Sequence, residues 1–113
     1  MHLRILSLLG IFFILSCQTG PPADVLSTQK MTAIITDLQL ADAAYKLDML
    51  PVTYKSQPQK YYLEILAMHQ TDSTTYNRSM HYYAENPKLL KKIYMDVERN
   101  IQPPAVQPPV NKK

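Results

Sequence analysis

The sequence predicts an all-α protein, a small bundle of about four helices that follows an N-terminal leader and ends in a proline-rich tail. Two observations predict this fold. Apolar side chains recur every three or four residues through four successive segments, which is the spacing of one face of an α-helix. Residues that start or break helices separate these segments: Ser27, the run 51–58, Asp72 and the pair Asn86-Pro87. The predicted helical domain therefore covers residues 27–101.

The first predicted helix begins at Ser27, whose hydroxyl can accept a hydrogen bond from a free amide of the first turn. Helical spacing places one apolar set on a single face: Met31, Ile34, Ile35, Leu38, Tyr45 and Met49. A second set lies on the opposite face of the later turns: Leu40, Ala43, Ala44 and Leu47. Two interpretations follow. Either the helix is central and covered on two sides, or its second half offers a partner-binding surface through Leu40 and Leu47.

Asp42 interrupts the first of these faces, because the helical repeat places it level with Leu38 and Tyr45. A carboxylate buried without a partner is strongly destabilising. We therefore expect Asp42 to be a buried polar residue that pairs with a tyrosine hydroxyl, Arg78 or His81. A catalytic acid at this position would need a companion group, and the sequence offers no recognisable one, so structural pairing is the favoured interpretation.

The remaining segments predict a loop and three shorter helices. The loop spans residues 51–58, Asp72 is the expected N-cap of the third helix, and Asn86-Pro87 ends that helix and starts the fourth. The apolar faces are Tyr62, Ile65 and Leu66 in the second helix, Tyr76, Met80 and Tyr83 in the third, and Leu90, Ile93, Tyr94, Val97 and Ile101 in the fourth.

His69 closes the apolar face of the second helix. A lone histidine in such a position is usually packed or hydrogen-bonded rather than bound to metal.

Three lysines, Lys88, Lys91 and Lys92, stand near the start of the fourth helix. The helix dipole is positive at that end, so three lysines near the start of the helix do not stabilise it. An ordinary solvated face is the simpler interpretation, and contact with anionic headgroups is the alternative. Residues 102–113 contain four prolines and predict a disordered, polyproline-like tail.

The first sixteen residues have the layout of a signal peptide: a basic start at Arg4 and an apolar run from Ile5 to Leu15. Only twelve residues separate Arg4 from Cys17, too few for a bilayer span, which needs about 20. The run ends in Ile14-Leu15-Ser16-Cys17, which resembles the bacterial lipobox. That resemblance implies cleavage before Cys17, diacylglycerol on its sulfur and a third acyl chain on the new terminus. Residues 17–26 then predict a flexible to semi-extended tether.

Composition excludes several function classes. A net charge of +3 does not indicate a nucleic-acid partner. Gly10 and Gly20 are the only glycines, and both precede the helices, so no phosphate-cradling loop can form there. Cys17 is the only cysteine, which rules out an intrachain disulfide and a thiolate cluster. We therefore expect no enzymatic activity, no metal and no cofactor apart from the lipid on Cys17.

Eight tyrosines and no tryptophan make tyrosine the remaining clue to function. Tyr61 and Tyr82 lie about a third of a turn away from the apolar faces of their helices. Tyrosine is common in interfaces because it combines a large contact area with a polar tip. Tyr61 and Tyr82 are accordingly candidate partner contacts, although a thin core would also leave every aromatic partly exposed.

Three segments carry a resemblance to a known family. They are the run from Met31 to Ala43, the segment Tyr82-Tyr83-Ala-Glu-Asn86-Pro87, and the run from Leu90 to Val97. Together they resemble short Bacteroidota lipoproteins that are described only as a domain of unknown function, with the Tyr-Tyr-x-x-Asn-Pro segment as the most specific part. The resemblance covers roughly residues 22–101. It implies a helical lipoprotein of the cell envelope and supplies no catalytic residues.

The sequence thus predicts a lipoprotein of the outer membrane that faces the periplasm, since Gln18 stands where an aspartate would resemble an inner-membrane retention signal. Its expected role is a non-enzymatic helical module that binds another envelope protein. One alternative is a chaperone-like module that holds unfolded outer-membrane clients. A ligand binder or enzyme that uses Asp42 is a third.

Lipidation gives the first testable prediction. As the lipobox resemblance implies, the mature protein should begin at Cys17 and carry the mass of two or three acyl chains. Each buried methylene stabilises membrane attachment by about 0.8 kcal/mol, so these chains would hold the protein at the membrane. Intact mass spectrometry of the product from membranes measures this. The Cys17→Ala chain should keep residues 1–16 and lack the lipid mass, whereas an unmodified thiol in the wild-type protein would contradict the prediction.

Overall fold

The computed structural model describes residues 20–102, and within that range the chain forms five α-helices and no strand. The predicted signal peptide, Cys17 and the tail from residue 103 onward lie outside the described residues. The all-α fold class is confirmed. The helices are α1 (Thr28–Lys46), α2 (Val52–Ser56), α3 (Pro58–Met68), α4 (Ser73–Ala84) and α5 (Pro87–Ile101).

Two predicted N-caps are confirmed. The Ser27 hydroxyl accepts from the Lys30 amide at 3.2 Å, and the Asp72 carboxylate accepts from the Thr75 amide at 2.7 Å. The hydrogen bond from Thr75 lowers the pKa of the Asp72 carboxyl, since it stabilises the charged form. Both caps satisfy an amide that has no partner within its helix. Local sequence therefore determines where α1 and α4 begin.

The run 51–58 contains the short helix α2, so the prediction of a plain loop there is wrong. Pro51 precedes α2 and Pro58 is the first residue of α3, positions at which the missing proline N–H breaks no helical hydrogen bond. The two prolines therefore mark helix starts rather than an irregular loop. The Tyr54 hydroxyl donates to Glu64 at 2.6 Å and joins α2 to α3.

The core lies between α1, α4 and α5. Its principal cluster consists of Met31, Ile35, Tyr83, Ile93 and Val97, each at most 4% exposed. These residues belong to the predicted apolar faces of α1, α4 and α5, and for them the prediction of a buried face is confirmed. The prediction is wrong for Tyr94 and Ile101 of α5, which are 42% and 36% exposed.

The helix directions follow from which residues meet. Thr28 and Lys92, near the starts of α1 and α5, line one cleft, and Gln39 and Ile101 line another further along. Helix α5 therefore runs parallel to the first part of α1. Helix α3 runs antiparallel to α1, since Tyr61 meets Tyr45 while His69 reaches Asp37.

Residues 24–26, which the sequence assigned to the tether, are packed against the domain. The Leu26 amide donates to the Ser79 hydroxyl at 2.9 Å, and the Tyr83 hydroxyl donates to the Leu26 carbonyl at 2.7 Å. Val25 and Leu26 pack against the core, and Asp24 lies 3.7 Å from Arg78. We call this pair of hydrogen bonds the Leu26 clip. It attaches the segment before α1 to α4.

The clip predicts a stability effect for Tyr83→Phe. The change keeps the buried ring but leaves the Leu26 carbonyl without its donor, so unfolding free energy should fall by about 1–3 kcal/mol. Urea denaturation followed by circular dichroism measures it. The matched control is Tyr82→Phe, which removes a hydroxyl that makes no hydrogen bond to any of residues 20–102 and should cost less than about 0.5 kcal/mol. Equal losses in the two variants would contradict the prediction.

Candidate interaction surface

The two halves of α1 differ in how much of the domain covers them. In the first half Met31, Ile34 and Ile35 are buried, and even Thr32 and Thr36 on a neighbouring face are only 8% exposed. Helix α5 ends at Ile101, beside Gln39. Because α1 continues to Lys46, its last two turns extend beyond the end of α5.

Leu40, Ala43 and Leu47 become exposed where this cover ends. Leu40 is 48% exposed, Leu47 is 69% exposed, and Ala43 between them is also exposed. Their spacing of three and four residues places them on one face. We call this set the α1 stripe. The interpretation in which α1 is covered on two sides is therefore wrong for its second half, and the exposure required by the partner-surface interpretation is present.

Tyr45 and Met49 were predicted to continue the buried face, and this is wrong. Tyr45 is 37% exposed and Met49 is 72% exposed. Tyr45 has an aromatic neighbour in Tyr61 of α3, with ring centroids 6.3 Å apart and planes tilted by 30°. Helix α5 ends before this part of α1 is reached, so the face that is buried at Ile35 is half open at Tyr45.

Asp42 is not the buried polar residue that the sequence predicted. Its carboxylate lies 2.6 Å from the ammonium of Lys46, one turn later in the same helix, and the Asp42 side chain is 49% exposed. The three proposed kinds of partner do not reach it: Arg78 lies beside Asp24, and His81 lies 3.4 Å from Glu85. The helical repeat placed Asp42 on the correct face, but that face is no longer buried at this depth.

The four candidate contact residues occupy different parts of the molecule. Leu40 and Leu47 lie on the α1 stripe, and Tyr61 lies on the other side of α1, against Tyr45. Tyr82 lies at the opposite end of the domain, in the cleft that also contains Gly20. Its ring packs edge-on against Tyr83 at 5.1 Å, and its carbonyl accepts from Asn86 at 2.7 Å. Tyr82 is thus part of the packing around the core, separate from the α1 stripe.

His69 is hydrogen-bonded, as expected. Its Nε2 lies 2.7 Å from Oδ2 of Asp37, and the histidine side chain is 20% exposed. The contact joins the end of α3 to the middle of α1. Within residues 20–102 the structure contains no group of three or more His, Cys, Asp or Glu side chains arranged to hold a metal ion. In this structure His69 makes a polar contact between two helices.

The exposed apolar surface also includes residues that sequence reasoning missed. Val52 at the start of α2 is 76% exposed, and Leu63 of α3 is 53% exposed. A signal for this open end was present in the sequence. The first predicted helix is longer than the fourth, so one end of it must lack a neighbour if the two helices are aligned at their starts. The alignment itself could not be predicted from the sequence.

Comparison with known families and structures gives one match. A family model described as "Domain of unknown function (DUF4296)" matches residues 22–105, which is most of the chain. No curated protein and no solved structure matches the sequence. In the part of the chain that the structure describes, no helix combines the length and hydropathy needed to cross a bilayer.

Exposure of the α1 stripe predicts that it is not needed for folding. Leu40→Gln and Leu47→Gln keep good helix formers at both positions and should change unfolding free energy by less than about 0.5 kcal/mol each. Ile35→Ala, in the buried half of the same helix, should cost about 2–5 kcal/mol. Urea denaturation of the three variants measures the contrast, and a large loss at Leu47 would show that the stripe belongs to the core.

Proposed function

Because the chain belongs to the DUF4296 family, whose description gives no activity, we propose a function from its own surface: a membrane-anchored envelope lipoprotein that binds another protein through the α1 stripe. The family match includes all five helices and therefore the stripe itself. In this proposal Cys17 supplies the anchor and the helical domain supplies the contact.

The observation that carries the proposal is the exposure of Leu40 in α1 and of Leu47, the residue that caps its C-terminal end, on one side of the helix. Fully burying a leucine side chain contributes about 1.5–3 kcal/mol, and this domain leaves part of that contribution unused at Leu40, which is 48% exposed, and more of it at Leu47, which is 69% exposed. A helix that offers leucines at positions i and i+7, with an alanine between them, has the pattern that partner grooves and helices bind. Met49 and Val52 enlarge the apolar area at the same end.

The anchor is proposed from the sequence Ile14-Leu15-Ser16-Cys17, and the periplasmic face of the outer membrane is proposed as its address because Gln18, not an aspartate, follows Cys17. The geometry of the domain is compatible with this address. Helix α1 has 19 residues and spans about 28 Å, and its start lies near Gly20, only three residues from Cys17. An anchored domain would therefore present its stripe well away from the lipid, where another envelope protein can reach it.

A non-enzymatic role is part of the proposal. Asp42, the residue considered as an acid, forms an exposed ion pair with Lys46 in its own helix. Such a pair stabilises a helix surface only slightly and requires no catalytic explanation. The polar contacts between different helices, His69 with Asp37 and Tyr54 with Glu64, join secondary structure elements rather than line a deep pocket.

Photo-crosslinking in living cells tests the proposed partner. The native lipoprotein should carry a photo-reactive phenylalanine at position 47, and it should capture one discrete envelope protein, identified by mass spectrometry. The matched control places the same group at Met68, an apolar residue of α3 that is 77% exposed but lies outside the stripe. Adding Leu40→Gln to the position-47 protein should reduce the adduct severalfold, since it removes a leucine of the same contact.

Other results would overturn the proposal. Capture of many unrelated unfolded proteins would favour the chaperone-like alternative, and an adduct between two copies of this chain would indicate self-association. Capture of lipid alone, or equal capture from positions 47 and 68, would remove the stripe as a specific contact.

A further inference from the structure

The outward face of α5 is basic. Ile93 and Val97 point into the core, and the helical repeat places Lys88, Lys91 and Lys92 on the opposite side of the helix. All three lysines are exposed. We call them the α5 lysine face.

Local interactions do not account for this face. The positive end of the helix dipole lies at Pro87, so lysines in the first two turns are unfavourable for α5 itself. Lys92 is paired with Asp96 at 2.8 Å, and this pairing lowers the pKa of the Asp96 carboxyl. Among residues 20–102, Lys88 and Lys91 form an ion pair with no carboxylate. The face therefore keeps an excess of positive charge.

The face also lies close to the point where the chain leaves the described domain. Gly20 lines a cleft together with Leu89 and Lys92. The Leu26 clip attaches the following residues to α4, so this end of the chain is held against the start of α5. Cys17 is three residues before Gly20, a separation of at most about 11 Å in an extended chain.

We propose that the α5 lysine face lies on the phosphate-bearing headgroups of the membrane that holds Cys17, and that this contact orients the domain. The inference rests on the proposed lipid anchor. An anionic headgroup layer is the partner that fits, because it is planar, carries phosphates and is brought within reach of Lys88, Lys91 and Lys92 by the same three-residue link. Orientation follows, since contact through this face places α5 between the bilayer and α1, whose Met31 and Ile35 pack with Ile93 and Val97 on the other side of α5. The α1 stripe lies on the opposite face of α1 from Met31 and Ile35 and so faces away from the bilayer.

Lysine labelling on the acylated, full mature lipoprotein tests the orientation. The protein is placed in vesicles of phosphatidylcholine with about 30% phosphatidylglycerol, or in phosphatidylcholine alone, and treated with an amine-acetylating reagent. Peptide mass spectrometry should show that Lys88 and Lys91 react roughly threefold more slowly in the anionic vesicles than in phosphatidylcholine alone. Lys46 and Lys55, near the far end of α1, are internal controls in the same sample and should react equally in both.

A second measurement separates this inference from the lipid anchor. The mature Cys17→Ser chain should bind the anionic vesicles in sedimentation assays. Lys88→Gln with Lys91→Gln should weaken that binding by roughly 25-fold, about fivefold for each lysine. Lys46→Gln with Lys55→Gln removes the same charge from the other end and should change binding less than about twofold.

The outcomes are distinct. Equal loss in the two double variants, or no preference for anionic vesicles, overturns the α5 lysine face even if mass spectrometry finds lipid on Cys17. An unmodified Cys17 overturns the anchor in the proposed function, and the Cys17→Ser binding result then decides the lysine face by itself.

Discussion

The Leu26 clip is the interaction on which the rest of the arrangement depends. It joins residues separated by 53 and 57 positions in the chain, so it is a long-range contact that a small domain with few such contacts relies on. By attaching the segment before α1 to α4, it fixes the start of α1 next to the start of α5. The two helices then run in parallel from the same end, and the core forms where both are present.

The difference in helix length explains why the other end is open. Helix α1 has 19 residues and α5 has 15, so α1 extends beyond its partner once their starts are aligned. The uncovered turns could have carried polar residues at no cost to folding, yet they carry Leu40, Ala43 and Leu47. These apolar side chains left in solvent are the observation on which the proposed binding role rests.

Local signals in the sequence predicted much of this fold, and long-range geometry accounts for what they missed. Ser27 and Asp72 determine helix starts through hydrogen bonds within one turn, and Pro87 does so through its fixed φ at the start of α5, so all three could be read directly. Periodicity also identified the buried face of each helix that it predicted, α2 not being among them, but it does not reveal how far along a helix its neighbour extends. For that reason Asp42 and Tyr45 were placed on the correct face and at the wrong depth. The Leu26 clip had no sequence signal, because its hydroxyls come from serine and tyrosine, which are common elsewhere in the chain.

The two ends of the domain also differ in how their charges are balanced. Beside the α1 stripe, Lys46 is paired with Asp42, and Lys55 is paired with Asp48. A protein that covers the stripe would therefore desolvate neutral pairs rather than isolated ions, which lowers the electrostatic cost of binding. At the other end Lys88 and Lys91 have no carboxylate partner among residues 20–102, which suits contact with a highly charged and hydrated headgroup layer. An apolar contact and an ionic contact compete when they share one surface, and their positions toward opposite ends of α1, a helix about 28 Å long, would let both form at once.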